Sequence, residues 1–424
     1  MSFKTITSAC ILSATLTTVA GIAVAQDATV RFWTLQGATN QEFYELAEKN
    51  FEEANPGVDV VVEYFPNEAY KTAIQVALNG SEPPDAFFNW VGADTSRLIN
   101  DGLAMDISAF GKDEGGFQAE LSEGWLSSMR LDDGLYGVPM EANSKYFYYN
   151  IGFFEEHDLN VPENFDGLLQ LCRDVRAIDA DIVPMPLGNS ERWKLIHFMT
   201  MLNERVVGAE AAAADYALAA SADDLFTNPG YVAAWEKLLE LQGAGCFQDA
   251  PNATSPELTR SMFTAEASPM IYCGTWCAGI FDSEGFTDYA MFRMPMIDGG
   301  AGAEGTNMVF IQGFQVATAT ENPEETVAWL SYLVTPEMGA KYAEINNRIP
   351  SNPTMLESSQ GLTDQFKWIA ADISSVTQPI NVLDVLLENS VAEAYLDAGV
   401  EVLNGTLTPE GAVEAIRNVA LAAM

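Results

Sequence analysis

Phe51-Glu52-Glu53-Ala54-Asn55-Pro56-Gly57-Val58-Asp59-Val60-Val61-Val62-Glu63-Tyr64-Phe65 is the stretch on which the fold turns. Its first residues close a helix, because Phe43, Leu46, Ala47, Phe51 and Ala54 recur at the spacing of one helix face over 41–54. Asn55-Pro56-Gly57 ends that helix, and the β-branched run from Val58 to Phe65 reads as a buried strand. Working outward, 29–33 is a short β-type run. On the other side, 68–79 is a helix through Tyr70, Ile74, Ala77 and Leu78, closed by Gly80. The turn Ser81-Glu82-Pro83-Pro84-Asp85 then leads into a third strand at 86–90. Strand, helix, strand, helix, strand predicts an α/β unit with parallel strands, whose ligands collect at the strand ends.

Past Gly137 the pattern starts again. Residues 146–149 form an aromatic strand, 162–180 an amphipathic helix, and 231–242 another helix through Trp235, Leu238 and Leu239, which together predict a second α/β body. A further strand is expected near 307–317. Asn322-Pro323-Glu324-Glu325 then opens a helix carrying Val327, Trp329, Leu330 and Leu333. From Asp364 to the end the pattern is almost wholly helical, with Thr408-Pro409-Glu410 capping the last helix. No convincing internal repeat is present.

The chain has 424 residues, with 60 Asp+Glu against 20 Lys+Arg and a net charge of −40. A polyanion of this strength is repelled by phosphate backbones and anionic lipid, so neither is an expected partner. With 48% hydrophobic, 11% aromatic and 19% charged residues it has the composition of a folded protein. The start resembles an export signal: Lys4 supplies the charge, 9–24 the apolar or small residues, and Ala23-Val24-Ala25 a small-x-small cleavage site before Gln26. Cys10 lies inside the apolar segment rather than after it, which argues against lipid attachment and for soluble, periplasmic export. Four cysteines then remain in an oxidising compartment, with three full pairings open. Cys172 falls on the apolar stripe of its helix and is expected as a buried free thiol. Cys273 and Cys277 would lie roughly 13 Å apart in a straight strand, and pair only if Gly274-Thr275 makes a turn.

These motifs resemble, in order along nearly the whole mature chain, the extracellular solute-binding proteins of ATP-driven importers, in particular the sugar-binding group that includes the maltose-binding proteins. Phe32-Trp33 leads to the Asn-Pro-Gly turn, Gly80 to Asp85 resembles a Gly-x-x-Pro-Asp turn, and Gly102-Leu103-Ala104-Met105-Asp106-Ile107 resembles a Gly-Leu-Leu-x-x-Leu segment. Gly134-Leu135-Tyr136-Gly137-Val138-Pro139 and Tyr149-Asn150 follow. Then come Met270 to Trp276, Asn322 to Leu330 and Leu403 to Glu410. The resemblance implies a two-lobed periplasmic-binding-protein fold of the α/β class, with discontinuous lobes, a hinge and a helical C-terminal segment. Residues 1–25 would be the signal peptide, 26–140 plus 295–344 the N-terminal lobe, and 141–294 plus 345–424 the C-terminal lobe. Crossings are expected near Glu141, residue 295 and Ile345. Two departures stand out: Glu266 occupies the family's Gly position with Pro269 for Ala, and 382–387 lacks the aromatic of maltose-type binders, so maltose is not the expected cargo.

A pyranose offers apolar C–H faces and a rim of hydroxyls, so its binder needs flat aromatics with carboxylates or amides. Trp33, Trp90, Trp193 and Trp276 fall at strand ends or loops and are the candidate stacking plates, with core packing as the alternative. Trp235, Trp329 and Trp368 sit at helical spacing among apolar neighbours and are expected in the core. Glu141 in Glu141-Ala142-Asn143-Ser144 resembles the family's ligand-binding Glu, with Asn143 beside it. Gln36, Asn89 and Asp94 are candidate hydroxyl partners that could equally cap loops. Phe314, after Gln312-Gly313, and Arg348 complete the set. No nucleophile elbow, zincin or phosphate-loop motif occurs, and His157 and His197 are the only histidines, so no enzyme, cofactor or metal site is expected. The expected function is a monomeric substrate-binding subunit that captures a sugar or short oligosaccharide and delivers it to a membrane permease. A polyol, glycerol phosphodiester or ferric-ion binder on the same fold, or a secreted glycosidase, is the alternative.

Overall fold

The computed structural model describes residues 28–359 and 361–424, so the export signal and its cleavage after Ala25 lie outside the described residues. The opening α/β unit forms as read: strand Ala28–Leu35, helix Ala38–Ala54, strand Val58–Phe65, helix Asn67–Leu78 and strand Ala86–Trp90. The first two strands pair in parallel from Ala28↔Val58 to Leu35↔Phe65, and Phe32 sits beside Ala86 on the third. The helix between them stops where expected, since Gly57 takes φ 100° and the Asn55 amide donates to Phe51 O at 2.8 Å.

Two long strands hold the molecule together. Val138–Asn150 and Thr306–Val316 run antiparallel, from Val138↔Phe314 through Glu141↔Gln312 to Ser144↔Val309, with an irregularity between Pro139 and Glu141. At one end Thr306–Val316 continues the first sheet by pairing with Ala86–Trp90. At the other, Val138–Asn150 pairs with Met270–Gly274 and Tyr289–Phe292, and Thr306–Met308 pairs with Gln378–Ile380. A short strand, Ile349–Pro350, flanks the middle against Ala142 and Glu141.

The apolar interior follows the same division. One cluster draws on 30–140 and 314–342, including Phe32, Phe43, Phe314 and Trp329. A second, larger one gathers Phe147, Leu168, Phe198, Trp235, Phe310 and Tyr395, with the last helices Asn389–Leu403 and Pro409–Ala423 packed on it. A third joins Tyr148, Phe281, Tyr289 and Ile369 on the other face of the same strand, as the two-residue period of a pleated strand requires. Ile297, Met308 and Phe310 pack in the second cluster, so the interior changes over between Phe310 and Phe314 rather than at residue 295.

Two local expectations are corrected and one condition is met. Cys172 is buried on its helix stripe as read, but it is bonded to Cys246 across a Cα–Cα distance of 5.0 Å. Helical periodicity reports one helix and is blind to the segment following helix Gly230–Gly243 that brings Cys246 alongside. Cys273 and Cys277 are also bonded: the strand ends at Gly274 and helix Trp276–Ser283 begins after Thr275, which shortens their Cα–Cα distance to 6.2 Å. Trp368 stays 37% exposed, its indole edge-on to Tyr146 at 5.1 Å, because helix Asp364–Ser375 covers the outside of the sheet. Glu266 takes φ 59°, the left-handed region that explains a glycine at that position in relatives of this pattern, and its carboxylate accepts from Asn150 Nδ2 at 3.3 Å.

Candidate functional site

Alternation along the long strands places Glu141, Asn143 and Lys145 on one face, and the register sets Gln312 and Phe310 beside the first two. This face runs uninterrupted from one apolar body to the other. At its centre, buried Glu141 accepts from Tyr342 Oη at 2.8 Å and from Arg348 Nη1 at 3.4 Å. The Gln312 amide, oriented by its neighbours, donates to Glu141 Oε1 at 2.8 Å and accepts from Trp90 Nε1 at 3.1 Å. Asn143 accepts from Thr275 Oγ1 at 2.7 Å, and its Nδ2 lies 3.2 Å from the Gln312 amide. Burial disfavours the Arg348 charge, yet Glu141 and Tyr342 hold the guanidinium above the usual arginine range.

Farther along the same face the surroundings become aromatic and basic. Trp193, which opens helix Trp193–Val207, and Trp276, which opens helix Trp276–Ser283, stand with ring centroids 6.0 Å apart, and Phe310 lies 6.2 Å from Trp276. Lys145 Nζ sits 5.0 Å from the Trp193 ring, 5.3 Å from Tyr272 and 5.6 Å from Trp276, with no exposed surface and no hydrogen-bond partner among the described residues. Burial first, then Lys194, pushes its pKa well below the ordinary lysine value. Lys194 Nζ donates to Cys273 Sγ at 3.3 Å and is pushed down to about 7, chiefly by burial and then by Arg260. His197 Nε2 lies 3.3 Å from Asp384 Oδ1, and burial, then Lys145, pushes its imidazole to about 4.

Of the residues singled out in the sequence, Trp90, Glu141, Asn143 and Arg348 gather around the centre and Trp193 with Trp276 at the second end. The others do not join them. Trp33 donates its indole N–H to Glu63 at 2.9 Å and packs on Phe65, on the first sheet. Gln36 is exposed in the loop after its strand. Asn89 is locked by Gln315 at 2.7 Å and by the backbone of Trp90. Asp94 pairs with Arg97 at 2.7 Å on its own helix. Phe314 is a core residue, 4.7 Å from Phe32. Gln312 appeared only as a neighbour of Phe314 in the motif. Lys145, Lys194 and Asp384 belong to no motif, and His197 enters the sequence reading only as one of two histidines; the one signal is a lysine directly before the aromatic run 146–149.

The two bodies touch over this face. Asn381 Nδ2 donates to Val91 O at 2.8 Å, and Gly92 abuts Val385 so closely that a Cβ there would meet the Val385 carbonyl oxygen at 2.2 Å. Beneath Glu141 lies a cavity of about 30 Å³, bordered by Thr34, Tyr44, Gln312 and Arg348, enough for a water molecule and too small for a sugar ring. A roomier hollow of about 380 Å³ lies on the back of the first body beside Phe51, Phe110 and Tyr332 and contains none of the candidate residues.

Residues 47–368 match the family of bacterial extracellular solute-binding proteins. The chain is 24% identical over 311 residues to an uncharacterized ABC transporter extracellular-binding protein of Pyrococcus horikoshii, covering 70% of this chain and 66% of that one. It is also 24% identical over 193 residues to the multiple sugar-binding protein of Streptococcus mutans, covering 45% and 42%. The chain therefore spans less than two thirds of the length of these curated relatives. Among solved structures, one from work on xylan utilization by Caldanaerobius polysaccharolyticus superposes with TM-score 0.86 at 20% identity over 92% of this chain and 99% of that one. A chitin oligosaccharide binding protein superposes with TM-score 0.83 at 19% identity, covering 93% and 98%. At such identities the likeness establishes the shared two-lobed α/β fold, and the profile match over three quarters of the residues establishes the lineage: the chain belongs to the bacterial extracellular solute-binding proteins.

Proposed function

We propose that this protein is the substrate-binding subunit of an ABC importer and captures a sugar or short oligosaccharide in the periplasm. The observation that carries this reading is the continuous face of the two long strands, with hydrogen-bonding groups at its centre and paired indoles at one end. Glu141, Gln312 and Asn143 are acceptors and donors for hydroxyls, and Trp90, Trp193 and Trp276 are plates for C–H faces. The relatives named for sugars and for ABC transport support the same class of cargo.

The lobes divide where the apolar clusters do, and the strands crossing at Glu141–Asn143, Phe310–Gln312 and Ile349–Pro350 serve as the hinge. Because the lobes meet at Val91–Asn381 and Gly92–Val385, entry of a ring requires them to part. Closure then buries the ligand, and the closed form is what a membrane permease receives. No bond is made or broken in this cycle.

The test is a thermal-shift screen of the exported protein against mono- and oligosaccharides, polyols, glycerol phosphates and ferric ion. A ligand that binds only the folded state stabilises it by about 2.7 kcal/mol at a hundred times its dissociation constant. Trp276→Ala should lose that shift while keeping its ligand-free melting temperature within a few degrees. A shift with ferric ion or a polyol and none with any sugar overturns the cargo class.

A further inference from the structure

Resting on the reading of this cleft as a sugar site, we infer that the sugar it takes is acidic, bearing a carboxylate or a phosphate that Lys145 and Lys194 receive. The chain has 20 basic residues against 60 acidic ones, yet two of its amines are fully enclosed at the aromatic end of the candidate face. Neither has a carboxylate in ion-pair contact among the described residues. Lys145 Nζ has no hydrogen-bond partner, and the contact of Lys194 Nζ is a disulfide sulfur at 3.3 Å. Asp384 lies 3.3 Å from His197 and also acts on Lys145, and Glu257 and Glu191 act on Lys194, all from beyond ion-pair distance of the amines.

The rings of Trp193, Tyr272 and Trp276 offset part of the desolvation of an ammonium, since each presents the negative face of its quadrupole. They do not replace hydrogen bonds, and a buried cation without them is costly enough that a methionine in its place would raise stability. The amines are useful here for what they receive. Trp193 and Trp276 retain partial exposure, and Lys145 Nζ lies 5.0 and 5.6 Å from their rings. An acid group reaching Lys145, for which the two indoles, 6.0 Å apart, must separate, would favour the protonated amine and make charge-assisted hydrogen bonds to it, with no hydration shell of the amine to displace. One further buried polar atom at this end, His197 Nδ1, also has no hydrogen-bond partner among the described residues.

The experiment is calorimetric titration of the exported protein with matched pairs: galactose against galacturonate, glucose against glucuronate and against glucose 6-phosphate, and galactobiose against digalacturonate. At least one acidic member should bind tenfold or more tighter than its neutral partner. Lys145→Met should abolish that preference while melting at a higher temperature than wild type without sugar, and Lys194→Met, checked for fold by near-ultraviolet circular dichroism, should reduce it. Preference for the phosphate over the uronates would identify phosphate as the acid group. If neutral members bind as well as or better than acidic ones, this inference falls and the sugar site stands; if no sugar of either kind binds, both fall.

Discussion

Removing the Cys172–Cys246 bridge tests the second lobe most directly. The bridge closes a loop of 74 residues between helix Phe165–Ile178 and the segment after helix Gly230–Gly243. On the chain-entropy account, a loop of that length stabilises the native state by about 4 kcal/mol at 25 °C through restriction of the unfolded chain. The structure gives a reason for a smaller loss. Arg176, on the same helix, donates to Gly245 O and Phe247 O, both at 2.9 Å, and so retains the segment locally without the sulfurs. The double variant Cys172→Ala/Cys246→Ala should therefore lose about 2–4 kcal/mol. Urea unfolding followed by tryptophan fluorescence reads this as a midpoint lowered by about 1 M. Sugar binding should be unchanged, because neither sulfur borders the candidate face. The protein from Gln26 on, which lacks Cys10, should offer no thiol to a thiol reagent when denatured without reductant. Reactive thiols in that sample, or a double variant unfolding at the wild-type urea concentration, would refute the reasoning.

His197 ordinarily titrates near 6.5 and is pushed to about 4 here by burial, Lys145 and Lys194, against the opposing pull of Asp384. A depressed folded-state value means that its contribution is complete above pH 6.5 and is lost as pH falls toward 4. The exported protein should lose roughly 2 kcal/mol more than His197→Gln between pH 7 and 4.5; parallel losses in chemical unfolding would assign the acid sensitivity elsewhere. Gly92→Ala places a methyl group 2.2 Å from Val385 O across the lobes, so the lobes should be held apart. Small-angle scattering should show a larger radius of gyration and titration about tenfold weaker ligand binding, whereas identical scattering would show that Gly92 and Val385 do not meet in solution.

The first α/β unit was readable because its signals are local. A helix face at 41–54, a Pro-Gly stop and a β-branched run each depend on residues a few positions apart, and every one of those elements formed. The two-lobed architecture was implied by the resemblance that the ordered series of motifs carries, not by the geometry of any single motif. Glu141, Asn143, Trp90, Trp193, Trp276 and Arg348 were singled out by chemistry at strand ends and crossings, and the fold brings them onto one face.

What the sequence by itself determined was thus the class of fold, the succession of elements and the residue types a sugar site would draw on. Tertiary structure alone decided which of these came together. Trp33 and Asn89 have the right chemistry at the right strand ends, but Glu63 and Gln315, distant in sequence, engage them. Cys172 has the spacing of a core residue, and only the arrival of Cys246 from 74 positions away makes it a bridge. Lys145 and Lys194 carry no motif; Lys145 is distinguished by enclosure between Trp193, Tyr272 and Trp276, which come from separate elements, and Lys194 by burial against Trp193 and the sulfur of Cys273. Local propensity acts over one turn or one strand, whereas desolvation and partner choice are set by whatever the packed chain places within a few ångströms, and that is settled only when the lobes are built.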